Sequence, residues 1–64
     1  MITLTRLNNK GFVLNAELIK TVEETPDTLI TLTNGDRIMV RETAQDVVDK
    51  AIDYARQIRG FQVI

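Results

Sequence analysis

Apolar and polar side chains alternate through the first two thirds of this chain and then fall at helical spacing through the rest. Over residues 2–7, Ile2, Leu4 and Arg6 share one face and Thr3, Thr5 and Leu7 the other, the period of a half-buried strand. Asn8, Asn9, Lys10 and Gly11 make a turn cluster, because Asn and Gly accept positive φ at low cost. Phe12, Val13 and Leu14 return as a second, short strand, and Asn15 is placed to cap one helical turn over residues 16–18. Residues 19–24 resume a strand in which Leu18, Lys20 and Val22 alternate with Ile19, Thr21 and Glu23. Helix competes there, but the proline that follows and the Thr-rich neighbours favour strand.

Residues 25–41 read as turn, strand, turn, strand, and the rest of the chain is organised around them. Pro26 has its φ preset for the second position of a type I turn and Asp27 tolerates the third, so residues 25–28 are expected to reverse the chain. Asn34-Gly35 is a hairpin signal with two competing registers. A two-residue loop pairs Ile30 with Met39 and Leu32 with Arg37, which sets an arginine beside the apolar stripe. A three-residue loop of Thr33, Asn34 and Gly35, with Gly35 left-handed, instead places Ile30, Leu32, Ile38 and Val40 on one face, and is the register expected.

Beyond residue 42 the period changes from 2 to 3.6. Thr43 is a good N-cap, with Asp46 three residues on to complement the helix dipole. Val47, Val48, Ala51, Ile52, Ala55 and Ile58 form an apolar stripe, and Gly60 is placed as a left-handed C-terminal cap, giving a helix over residues 44–59. The apolar residues 61–64 are expected to fold back on that helix or to join a sheet edge. The resulting fold class is α+β, a single domain with about five short antiparallel strands and one C-terminal helix packed on one face. The other face carries Leu29 and Met39 among Thr31, Arg37 and Arg41. That is too apolar for an ordinary wet surface and is the expected partner or oligomer contact.

Size sharpens this expectation. A chain of 64 residues buries only about 60% of its unfolded surface and is marginally stable alone. It contains neither Cys nor His, which closes the disulfide route and weakens the metal route, so self-association through the sheet face or edge is favoured. The N-terminus lacks the pattern of a secretory signal and no apolar run approaches a bilayer span, so a cytoplasmic location is expected. Eight basic and nine acidic residues give a net charge of −1, which supplies no bulk attraction to nucleic acid.

Candidate chemistry is sparse. Asp46, Asp49 and Asp53 lie near one helical side, but a solvated side on which Asp46 meets Lys50 and Asp53 meets Arg56 accounts for them better than a metal does. Glu23, Glu24 and Asp27 read as a solvated strand end, and Arg6 as a stem over apolar surface with its head paired to a carboxylate such as Glu23. Tyr54 is expected at the rim of the helix contact. Pro26, Asp27, Asn34, Gly35 and Gly60 are turn or cap residues, and no catalytic residue, cofactor site or metal site is expected.

Several stretches together resemble the FlbD/SwrD family of small flagellar proteins: ITLTRLN at 2–8, FVLNAELI at 12–19, VEETPDTLITLTNG at 22–35 and VVDKAIDYAR at 47–56. The most specific is the spacing E-x-T-P-D-T-x-I-x-L-x-x-G from Glu23 to Gly35. The first turn departs from the Asn-Gly common in that family, since Asn9 stands where glycine is usual. The resemblance implies a bacterial cytoplasmic protein, peripheral to the flagellar base, that supports swarming by raising motor power through contact with motor or stator proteins, without catalysis. A second reading rests on the opening MITLTR, which is similar to the carbon storage regulators, small dimeric sheet proteins that bind messenger RNA. That likeness stops after the first strand, and the chain has no basic surplus or aromatic stacking platform.

Overall fold

Strand β1, Ile2–Thr5, pairs antiparallel with β2, Gly11–Leu14, across the Asn-rich turn, in which Asn9 takes φ 70°. The structure is a computed structural model that describes residues 1–62, with side chains described to Ile58. Asn15 then caps a single 3-10 turn, Ala16–Leu18, its Oδ1 accepting from the Glu17 N–H at 3.1 Å. Strands β3, Ile19–Glu24, β4, Thr28–Leu32, and β5, Arg37–Val40, follow as an antiparallel sheet in chain order. Helix α1, Ala44–Gln62, closes the order. The class is α+β as the periodicity implies, with the five strands divided between a two-stranded and a three-stranded sheet. An Arg6–Val40 bridge and the Arg41 N–H donating to Thr5 O at 2.8 Å join the two sheets at one corner.

The hairpin takes the three-residue loop. Ile30 pairs with Ile38 and Thr28 with Val40, and Gly35 sits at φ +94°. The preceding reversal differs from a type I turn: Glu24 pairs with Thr28 across a loop in which the Thr25–Pro26 peptide is cis and the Thr25 N–H donates to Asp27 O. An X–Pro bond has little of the trans preference of other peptides, so the proline that marks the turn does not fix its type.

Strict alternation also fails in β3. The register with β4 shifts between Ile19 and Thr21, so Lys20 is an extra residue in the ladder. Ile19 and Val22, opposite in parity, therefore both turn toward the core, facing Leu32 and Ile30.

Ile2, Leu4 and Leu14 from one sheet meet Ile30, Leu32 and Val40 from the other, and Val47 of α1 completes the buried core. The helix lies against β1 and β3, so it closes the side of a two-sheet stack. Only part of the predicted stripe faces inward. Val47 is buried and Ala51 and Ile58 half-buried, whereas Val48, Ile52 and Ala55 are exposed; Ala44 and Tyr54 take inward positions instead. The expected stop at Gly60 is overturned, because α1 runs through it to Gln62. Glycine costs only about 1 kcal/mol inside a helix, too little by itself to end one. Phe61 and Gln62 accordingly continue the helix, and Val63 and Ile64 lie outside the described residues.

Candidate functional site

The register of the three-stranded sheet decides what its outer face presents. Cross-strand partners share a face, so one row runs Glu23, Leu29, Met39 and the next runs Thr21, Thr31, Arg37. On the central strand Leu29 and Thr31 are half-buried by their neighbours, while Arg37 and Met39 on β5 are exposed, Met39 at 47%. The result is a small apolar centre with an acid at one edge and a base at the other. Arg41 continues this parity past the end of β5, but its guanidinium donates to Leu7 O at 3.1 Å, so it also ties the first turn to the end of β5.

A cleft of about 200 Å³ opens beside that corner, where Pro26 and Asp27 face Arg41 and Thr43. Its wall is built by contacts that join residues distant in sequence. The Thr5 N–H and hydroxyl each donate to a different carboxylate oxygen of Glu42, both at 2.9 Å. Buried Thr28 donates its hydroxyl to Glu42 O. Burial works to raise the Glu42 pKa, but the two Thr5 donors, its own N–H and the Lys50 ammonium outweigh it and leave the carboxyl below its ordinary value. Glu24, expected to be a solvated strand end, instead accepts from the Ala44 N–H at 2.7 Å and so satisfies one free donor at the start of α1. Thr43 satisfies a second, its hydroxyl oxygen accepting from the Asp46 N–H at 3.1 Å.

Three further charged side chains are likewise engaged with the fold. Lys50 donates to Thr3 O at 2.8 Å, reaching β1 where a pair with Asp46 was expected, and Asp49 accepts from Gln45 at 2.9 Å. The Arg6 guanidinium lies 4.4 Å from the Phe12 ring centroid, in the place of the expected carboxylate pair, because the ring stands next to it across the β1–β2 ladder. Among the described residues no group of three or more carboxylates is gathered as a metal site would require.

A second concavity, about 280 Å³, runs between α1 and the start of β3. Ala16, Ile19 and Val22 form one wall and Val48, Ile52 and Ala55 the other. Neither this groove nor Glu42 stood out in the sequence as a site. The only signal for the groove was that six apolar helix positions make a stripe wider than one contact needs.

The family model for flagellar and swarming motility proteins, FlbD, matches residues 1–59. The chain belongs to the FlbD family. The match takes in all five strands and most of the helix of this FlbD-family chain, so it covers both the outer sheet face and the groove. No curated protein and no solved structure matches the chain. Among the described residues of the FlbD fold no helix is long and apolar enough to cross a membrane.

Proposed function

We propose that this FlbD-family chain is a non-enzymatic adaptor that supports swarming by raising the power of the flagellar motor, acting on the cytoplasmic side of the flagellar base. The outer face of the three-stranded sheet makes the contact, and stator proteins are the first candidates to receive it. Family membership supports the flagellar setting. The observation that carries the binding role is the row Glu23, Leu29, Met39 beside Thr21, Thr31, Arg37. An apolar centre with a charged rim is the anatomy of a protein contact, and a sheet laddered on both sides of its central strand holds it in place.

The test is capture of motor proteins from a motile cell by the intact chain, with the Met39→Lys and Arg37→Glu variants run beside it. Stator proteins retained by the parent and lost by variants of unchanged folding support the reading. Full capture and full swarming by both variants would remove this face from the function. Retention of RNA that weakens steeply with salt would replace the adaptor role with a phosphate-binding one.

A further inference from the structure

Helix α1 carries an apolar stripe wider than the fold uses, with Val48, Ile52 and Ala55 along its uncovered margin. Val47, Ala51, Tyr54 and Ile58 face the sheets, while Val48, Ile52 and Ala55, spaced by four and three, form an exposed seam, with Val48 at 39% and Ile52 at 43%. That spacing is the repeat of a helix that meets another helix. At 19 residues α1 is about 28 Å long, longer than any strand here, so the seam has room for one. Ala16, Ala51 and Ala55 keep the groove shallow-walled, which lets a second helix approach closely.

We propose that the groove binds a second copy of the same chain, the two α1 helices lying antiparallel with Ile52 near the two-fold axis. Charge selects this occupant and this direction. Asp49 and Arg56 are both exposed and flank the seam on the same outer edge, three residues before and four after Ile52. Antiparallel packing brings Asp49 of each copy to Arg56 of the other, so symmetry forms the ion pair twice. Parallel packing would set the two outer edges on opposite sides of the contact and form neither pair. The inner edge of the seam carries Ala51, which lines the groove together with Ala16, Ile19 and Val22. The sheet face is left free, so the dimer presents two copies of the surface assigned to the motor partner.

Sedimentation of the full chain over a concentration series tests this, with Asp49→Arg, Arg56→Asp, their combination and Ile52→Asp as variants. The parent should be a dimer at micromolar concentration. Each single reversal should raise the dimer dissociation constant about tenfold by turning two attractions into repulsions. The combined reversal should restore most of the affinity, and Ile52→Asp should give a helical monomer. A monomeric parent overturns the proposal, as does an Ile52→Asp variant that still dimerises. A combined reversal no tighter than either single overturns the antiparallel register, and since none of these positions faces the core, misfolding is a separate outcome read by circular dichroism.

Discussion

Thr5 and Glu42 are joined twice, the backbone N–H and the hydroxyl of one residue each donating to a different oxygen of the other at 2.9 Å. The pair fastens the end of β1 to the segment that launches α1, while Thr28 holds the Glu42 carbonyl from β4. Three elements thus converge on a residue that touches neither the outer face nor the groove.

Because the folded-state pKa of Glu42 lies below its ordinary 4.5, its contribution is fully present above the unfolded value and is lost as pH falls through the folded one. Glu42→Gln should therefore cost about 1 kcal/mol at pH 7, where a charged acceptor of two hydrogen bonds becomes neutral. Denaturant unfolding at several pH values should show the gap between parent and variant narrowing below pH 4.5. A gap that is constant down to pH 2 would contradict the assignment.

Two side chains cap the same helix start by different routes, Thr43 locally and Glu24 from the end of β3. Replacing either by alanine should lower stability by about 1 kcal/mol. A double-mutant cycle should find the two nearly additive, because they bond different N–H groups.

Gly35 and Gly11 should respond to different degrees to alanine. At Gly35, with φ +94° and open space around a would-be Cβ, the cost is purely conformational and should be about 1 kcal/mol. At Gly11, in a strand with only Leu4 O at 3.8 Å, the change should fall within about 0.5 kcal/mol of zero. Thermal unfolding of the two variants checks the contrast.

Met39 and Val40 are neighbours with opposite duties. Met39→Lys should leave unfolding within about 0.5 kcal/mol of the parent while reducing capture of the proposed motor partner. Val40→Ala, at a site 1% exposed, should cost about 2 kcal/mol and leave the outer face as it was.

Most local chemistry was legible in the sequence, the turn type at Pro26 and the cap at Gly60 excepted, and contacts between distant segments were not. Asn9 in the left-handed region, Asn15 over its 3-10 turn, Thr43 at the helix start and the three-residue loop at Gly35 each follow from a few adjacent residues, and each is present. Glu24, Glu42 and Lys50 are ordinary charged residues until the fold brings Ala44, Thr5 and Thr3 within reach. The same limit explains Arg6, whose ring partner depends on pairing across β1 and β2, whereas Gly60 is a local cap signal that failed because one glycine costs a helix too little to end it. The division into two sheets was hidden for a related reason, since periodicity shows which face a strand buries but not which strand it stands beside. The outer sheet face was read directly, because parity along β4 and β5 fixes it once the register is chosen.

Lys20 carries a constraint of an unusual kind. Its side chain is exposed and bonds nothing that the core depends on, so most residues could replace it. Its presence as a link in the chain is another matter: without it Ile19 would swing outward and one wall of the helix groove would lose one of its three apolar side chains. Evolution is free to rewrite that position and is barred from erasing it, so relatives that keep this fold should vary there in letter while holding the spacing from Ile19 to Val22 fixed.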